Sequence, residues 1–293
     1  MDLSDLTVFC TVVEAGGVTR AAERLHRVQS NVTTRIRKLE QDLGVSLFER
    51  EGRQLVLTAD GERLLGYARQ LLGLAAAARN ELAGQRLAGR FRLGSMENTA
   101  ATRLPLPLSR FHRDYPEVEL ELSTGPSLPM CQRVLRGEVD AALVAEPVGG
   151  ELDARLDSRI IGVEELVLVT ALDHPPVRDA RDVAQDTLLA FQPGCGYRQR
   201  LEDWFASAGR LPQRQVELSS YHAILGCAAA GMGVALVPDK LLDQYAGQAA
   251  LARHRLPPAT AHAPTLLVWK RSQPRAVIAR FADYLLDDEA TPS

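Results

Sequence analysis

Between Val18 and Leu43 six basic residues, Arg20, Arg24, Arg27, Arg35, Arg37 and Lys38, stand against three acids, Glu23, Glu40 and Asp42. The whole chain carries a formal net charge of −3, so this is a local positive field inside a slightly acidic protein. Such a field suits a polyanion that docks at one end only. A second chemical candidate is Cys195, set between Gly194 and Gly196 with Arg198 and Arg200 close behind. A cysteine at a helix start near arginines is expected to have a lowered pKa and a reactive thiolate, the equipment of an oxidation sensor. The competing reading is a small residue lining a ligand pocket.

Catalytic chemistry finds little support. Gly194-Cys195-Gly196 and Gly231-Met232-Gly233 each lack the third glycine of a dinucleotide loop, and the second precedes a strand. There is no GxSxG, Walker loop or HExxH. Cys195 and His222 could serve as nucleophile and base, but nothing in the sequence orients the histidine. The chain is therefore expected not to be an enzyme and to need no cofactor and no metal. Its four cysteines, Cys10, Cys131, Cys195 and Cys227, are far apart, which argues against a disulfide framework or a zinc site and for a reducing cytoplasm. Asp2 and Asp5 open the chain inside an amphipathic pattern, so no signal peptide is expected, and no apolar run of about 18 residues predicts a membrane span.

These groups need elements to hold them, and 293 residues allow two or three compact units. Leu3, Leu6, Val8, Phe9, Val12 and Val13 recur at helical spacing and predict a first helix ending near Gly16-Gly17. Thr19 is placed to cap a second helix whose small face is Ala21, Ala22 and Leu25. His26 to Gln29 reads as a turn, and Ser30 or Asn31 as the cap of a third helix with a buried stripe of Val32, Ile36, Leu39 and Leu43. That stripe turns Asn31, Thr34, Arg35 and Lys38 outward, where short polar groups reach base edges and cations hold phosphates. Leu47 to Leu57 then reads as a hairpin around Glu51-Gly52, with Arg50 and Arg53 flanking its tip as a wing; an ordinary surface turn is the alternative.

From Ala21 to Thr58 the pattern AAERLH…Q…RI..LE..LGV.LFER.GR...LT resembles the LysR-type transcriptional regulators, and the likeness extends over the whole chain. The resemblance implies a winged helix-turn-helix at 1–58, a linker helix at 59–88 and an effector-binding domain at 89–293. It further implies that Gln29, Ser30, Thr33 and Thr34 face bases. Ser30 stands where the family often has proline, Thr34 where it often has arginine and Val28 where serine is usual. Since threonine discriminates less sharply than a bidentate arginine, Arg35 is expected to carry more of the contact, with Arg20 and Lys38 beside it.

Leu64/Leu65, Ala68, Leu71/Leu72, Ala75, Ala78 and Leu82 recur at three-four spacing and predict a coiled-coil seam that starts at a Thr58 cap and stops at Gly84 and Gly89. About 29 residues at 1.5 Å give roughly 43 Å of rod. Pairing of this helix between two subunits is expected, and a dimer with two reading heads fits an interrupted palindrome.

After Phe91 strands and helices alternate, which predicts a parallel sheet wrapped by helices, in an overall α/β class with an all-α head. Crossings near Ile161 and His262 divide it into subdomain I, about 90–161 and 264–293, and subdomain II, about 162–263. The resemblance adds a periplasmic-binding-protein-like clamp with a ligand cleft. Ligands of open α/β sheets sit beyond the strand C-termini. That places Ser95, Met96, Glu97 and Asn98, then Pro126 and Ser127, then Gly194, Cys195 and Tyr197 at the effector site. Backbone donors and hydroxyls there suit a carboxylate or small anion, whereas Glu97 repels an anion or prefers an amine, unless it is a surface helix cap. Tyr221 and His222 begin a helix that reaches the cleft, or else pack. The expected protein is a cytoplasmic regulator, a dimer of dimers, that binds double-stranded DNA and a small-molecule effector and acts on RNA polymerase without touching a membrane. Redox sensing through Cys195 and a solute-binding role remain the other readings.

Overall fold

A computed structural model of the chain describes residues 1–51, 54–82, 87–147, 149–210, 212–273 and 275–289, with the backbone alone at 51, 54, 70, 76, 77, 79–82, 288 and 289. Gly52, Arg53 and Gly84, expected at the wing tip and the linker end, lie outside the described residues. The chain divides into two compact units, Met1–Arg86 and Leu87–Leu135 with Val139–Ser293. Among the described residues no helix is long and apolar enough to cross a membrane.

The first unit comprises α1 (Leu3–Ala15), α2 (Val18–Arg24), α3 (Gln29–Leu43), the hairpin β1 (Phe48–Glu51) and β2 (Gln54–Leu57), and α4 (Ala59–Leu82). Its core is Leu6, Phe9 and Val12 of α1, Ala21 and Ala22 of α2, Val32, Ile36 and Leu39 of α3, Leu47 and Ala68. Each fully buried aliphatic side chain contributes about 2 kcal/mol. The Asp2 carboxylate accepts the Asp5 N–H at 2.8 Å and starts α1. The next two caps differ from expectation. α2 starts after Gly17 and α3 after Val28, neither with a side-chain cap, so Thr19, Ser30 and Asn31 are not caps. Leu43 is also exposed rather than buried, because α3 ends there and nothing covers its last turn.

All three helices end in a left-handed residue whose neighbours close the last carbonyls. Gly16 (φ 65°) and Gly44 (φ 70°) do this for α1 and α3. For α2 the residue is His26, at φ 51°, with Arg27 N–H on the Ala22 carbonyl at 2.9 Å and His26 N–H on Glu23 at 3.1 Å. The turn between α2 and α3 thus carries a strained non-glycine residue.

The Thr58 hydroxyl accepts the Gly61 N–H at 3.0 Å and caps α4 as expected. The seam is a different one, however. Ala68 is fully buried, and Leu64, Leu65 and Leu72 pack on the core of the same unit. Tyr67, Leu71 and Leu74, 65%, 40% and 63% exposed, are turned outward with Ala78. Their spacing of four, three and four is that of a coiled-coil seam displaced from the one read in the sequence.

The second unit contains β3 (Gly89–Ser95), α5 (Glu97–Thr102), α6 (Pro105–Asp114), β4 (Val118–Thr124), α7 (Ser127–Leu135), β5 (Ala141–Ala145), β6 (Leu156–Ala171), β7 (Thr187–Ala190), α8 (Gly196–Ser207), β8 (Arg214–Glu217), α9 (Tyr221–Ala229), β9 (Ala235–Pro238), α10 (Asp239–Asp243), β10 (Leu251–Arg255), α11 (Pro258–Ala261), β11 (His262–Lys270) and α12 (Ala276–Glu289). α5 and α6 are separate helices: Pro105 has no N–H to continue the ladder of α5 and instead opens α6 at its first position.

The expected all-parallel sheet is mixed. β3 runs parallel to β4 and β5, and β7 to β8, but β11 is antiparallel to β5 and β6, and β6 to β9 and β10. Two long strands cause this. β6 pairs β11 over its first half and β9 and β10 over its second, so it belongs to both subdomains. The ladder between β6 and β11 shifts between Thr265 and Leu266, which pair Gly162 and Ile160 and leave Ile161 as the bulged residue. The ladder is bulged at Ile161, whereas β6 exchanges β11 for β9 only after Glu165. One apolar core lies around Leu168, Val237, Trp204 and Ile224; another stacks Phe91, Phe111 and Phe281 under α12.

Candidate functional site

Two arrangements in the chain can bind something. The first is the outer face of α3. Val32, Ile36 and Leu39 fix its inner face, so Gln29, Ser30, Asn31, Thr34 and Lys38 are exposed and Thr33 is half-buried. The Thr34 hydroxyl donates to the Ser30 carbonyl at 2.9 Å and Thr33 to Gln29 at 3.0 Å. Both protons being spent on their own helix, each threonine faces out with a methyl group and an accepting oxygen. That pair of features meets a thymine methyl or an exocyclic amine.

Two expected DNA contacts are committed elsewhere. The Arg35 guanidinium donates to Asp5 Oδ1 and Ser4 Oγ, both at 2.9 Å, and Asp5 is 2% exposed. Arg35 is therefore the counter-charge of a buried carboxylate, and the expectation that it carries more of the base contact gives way. Arg20 donates to the Gly16 carbonyl at 2.8 Å and closes the end of α1. Arg24, Arg27, Arg37, Lys38 and Arg50 are exposed, as is Arg20 itself. Glu40 is a residue the sequence reading passed over: its Oε1 accepts the Leu47 N–H at 2.8 Å, tying the start of the hairpin to α3.

The second arrangement is a cavity of about 460 Å³ in the effector unit, lined by Met96, Glu97, Thr124, Gly125, Pro126, Ser127, Phe191, Gln192, Cys195, Tyr197, Glu217, Leu218, Ser219 and Tyr221. It lies beyond the C-terminal ends of β3, β4, β7 and β8, where ligands of such sheets bind. Of the expected residues, Met96, Glu97, Pro126, Ser127, Cys195, Tyr197 and Tyr221 line it. Four do not. Ser95 is fully buried and donates to the Met96 carbonyl at 2.9 Å. Asn98, 1% exposed, turns an unpartnered amide into the interior. Gly194 sits at φ 91° with its carbonyl taken by the Leu128 N–H at 3.1 Å. His222 is exposed, its ring edge-on to Tyr245 at 6.1 Å.

Glu217, Leu218 and Ser219 were missed. They follow β8, and the signal was available: β8 is parallel to β7, so its C-terminal end opens on the same side as Phe191. Gly196 has a steric reason, since a Cβ there would stand 2.9 Å from that of Ala145.

The chemistry of the walls departs from the expected anion cradle. At the start of α7, Pro126 and Pro129 have no N–H, Leu128 gives its own to Gly194, and the Gly125 N–H goes to the Ser95 carbonyl at 3.0 Å. Cys195 is corrected too. Burial pushes its thiol up, outweighing the Tyr197 and Arg198 N–H groups and the Arg198 charge. Arg198 is engaged by Glu202, Glu217, Gln215 and the Phe191 carbonyl. Burial also raises Tyr197 and Tyr221, so both stay protonated, and Tyr221 meets the Phe191 ring edge-on at 4.8 Å. Burial likewise raises Glu97, against the pull of His222 and the Tyr221 N–H.

Comparison with known proteins places both arrangements. Residues 3–62 match the family of bacterial regulatory helix-turn-helix proteins of the lysR type, and residues 84–290 match the LysR substrate binding domain. The chain is similar to the HTH-type transcriptional regulator GltR of Bacillus subtilis, 36% identical over 258 residues, 87% of this chain and 86% of that protein. It is 35% identical to YofA of the same organism over 272 residues, 92% and 93% of the two chains. Among solved structures, a full-length OxyR variant from Pseudomonas aeruginosa superposes with a TM-score of 0.77 at 25% identity, covering 97% of this chain and 94% of that one. Full-length CbnR complexed with its target DNA shares the fold, with a TM-score of 0.65 at 24% identity over 97% and 99% of the two chains.

Proposed function

The chain belongs to the LysR family of DNA-binding transcriptional regulators, and from that premise we propose how its two binding arrangements divide the work. The exposed front of α3 enters a major groove, with Gln29, Ser30, Asn31 and Thr34 at base edges and Lys38 on phosphate, while Arg50 of the hairpin touches the backbone. Arg20 and Arg35 hold the head in shape. Tyr67, Leu71, Leu74 and Ala78 of α4 pair with the same stripe of a second copy, giving two heads for the half-sites of an interrupted palindrome. Two such dimers join, and the assembly acts in the cytoplasm on the access of RNA polymerase to a promoter. The effector unit binds and does not catalyse.

The observation that carries the effector reading is the cavity itself. It opens at the strand ends, and walls from both subdomains line it. A ligand there changes the opening of the clamp only through its unequal affinity for the open and closed states. The experiment is a mobility-shift titration on operator DNA obtained by in vitro selection, with and without small molecules that raise the melting temperature of the full chain. Ligand is expected to change operator affinity or the migration of the complex, and Ser219→Trp, which fills the cavity, to remove that change. A ligand response that survives Ser219→Trp moves the effector site elsewhere.

A further inference from the structure

The reading of the cavity as the effector site leaves its ligand unnamed, and the walls constrain the choice. Among the described residues that line it there is no Lys, Arg or His, whereas Glu97 and Glu217 both contribute carboxylates. Glu217 is neutralised by Arg198 at 2.9 Å. Glu97 is met only in part: the Tyr221 N–H and the charge of His222 act on the carboxylate, but its Oε2 is buried with no hydrogen-bond partner. A second polar group lines the same cavity. The Tyr197 side chain is 3% exposed, lines the cavity, and its hydroxyl has no partner. At the start of α7 the N–H groups of Pro126 and Pro129 are absent and those of Leu128 and Met130 are bonded, which leaves the Ser127 N–H alone for an anion, and α5 begins with Glu97 itself.

We propose, resting on the effector-site reading above, that the cavity takes a small amine whose protonated nitrogen is received by the Glu97 carboxylate, with the Tyr197 hydroxyl as a second acceptor. A carboxylate oxygen buried without a hydrogen-bond partner is costly, and a ligand ammonium removes that cost while forming a charge-assisted hydrogen bond. The Phe191 and Tyr221 rings, 4.8 Å apart at the same wall, add the faces and edges that a cation and its hydrocarbon body pack against. Met96, Pro126 and Leu218 extend this apolar surface, and the volume matches a ligand of metabolite size. The raised pKa of Glu97, caused first by its burial and opposed by His222 and the Tyr221 N–H, agrees with a carboxyl whose burial is not fully compensated. An anion placed here would meet Glu97 at a wall whose lining residues include no Lys, Arg or His.

The test uses the full chain and matched probes of one shape in three charge states: 2-phenylethylammonium, 3-phenylpropionate and 2-phenylethanol, with pentylammonium, hexanoate and pentanol as the aliphatic set. Thermal shift and calorimetry read the wild type, Glu97→Gln and Ser219→Trp. At least one ammonium is expected to bind the wild type at least tenfold tighter than its carboxylate and alcohol partners. Glu97→Gln is expected to weaken it by about tenfold or more, the effect of losing one charge-assisted contact. Carboxylate or alcohol binding that Ser219→Trp abolishes, at equal or better affinity than the amines, overturns the amine assignment and keeps the cavity as the site. Binding of any probe that Ser219→Trp leaves untouched removes the cavity as well. Failure of both ammonium probes to bind the wild type at millimolar concentration also overturns the assignment, since Ser219→Trp has then nothing to block.

Discussion

The reading head holds its buried carboxylate, Asp5, with an arginine, whereas the lining of the effector cavity sets no Lys, Arg or His beside Glu97. In the head, the arginines nearest the fold are committed: Arg35 to the buried Asp5 and Arg20 to the end of α1. The cations left over are exposed, where solvent stabilises them until a phosphate replaces it. In the cavity, the Glu97 Oε2 and the Tyr197 hydroxyl are buried without partners. Each such group costs about 1–3 kcal/mol. A surface that meets a polyanion can thus be added to a stable module at little expense in stability, whereas a pocket for a small molecule holds a deficit that its ligand relieves.

The largest effect that can break this contrast is on Arg35. Arg35→Ala leaves the Asp5 carboxylate buried and unpaired, and about 3 kcal/mol of stability should go with it in urea denaturation. A loss under about 1 kcal/mol accompanied by weakened operator binding would return Arg35 to the reading surface. Tyr197→Phe should do the reverse in the cavity. Deleting an unpartnered buried hydroxyl should raise the stability of the ligand-free protein by about 1 kcal/mol, and a clear destabilisation would mean the hydroxyl is bonded.

A third effect concerns a buried histidine of the effector unit that, unlike Glu97 Oε2 and the Tyr197 hydroxyl, has partners. His254 accepts the Val177 N–H at 3.2 Å and contacts Thr170 Oγ1 at 2.9 Å, and its pKa is lowered from 6.5, first by burial and then by His174. A folded-state value below the unfolded one means that its contribution is complete above pH 6.5 and is lost as pH falls through that value. The melting temperature should therefore decline between pH 7 and 5, less steeply in His254→Gln. Equal declines in the two proteins would assign the acid sensitivity to other groups.

Smaller effects sharpen the contrast further. Cys195, whose thiol burial pushes up, should react with iodoacetamide more slowly than a free thiol at pH 7.5, and faster reaction would restore the oxidation-sensor reading. Lys38→Ala should weaken binding about equally to all operator sequences and lower the slope of log affinity against log salt by about one. Unequal loss between sequences would make Lys38 a base reader.

The sequence was most legible where periodicity and local motif coincide. The stripe of Val32, Ile36 and Leu39 places α3, and the paired glycines at 16 and 17 end α1, because helix geometry and left-handed backbone are local properties. Arg35 was misread because its partner Asp5 is 30 residues away on α1, and no local pattern reports such a pair. The displaced seam of α4 has the same origin. Leu65, Ala68 and Leu72 look like a stripe in isolation, yet the core of their own unit already occupies it. In the effector unit the segments before α5, α7 and α8 were found by the rule for strand ends. Glu217 to Ser219 escaped, since their place depends on β8 lying beside β7. The mixed sheet was illegible for a related reason: β6 is one strand of 16 residues that reads as a strand only in its second half, LVLVT.

That strand bears a mechanical consequence. β6 and β11 carry the chain between the subdomains, and they are bonded to each other through the crossing, from His262 opposite Glu165 to Lys270 opposite Leu156, with one slip at Ile161. Two ribbons stitched edge to edge resist sliding, because any translation breaks their rungs, but they bend readily at the slip. On the proposed reading, a molecule in the cavity acts through a bend at this slip and not through a slide of β6 past β11.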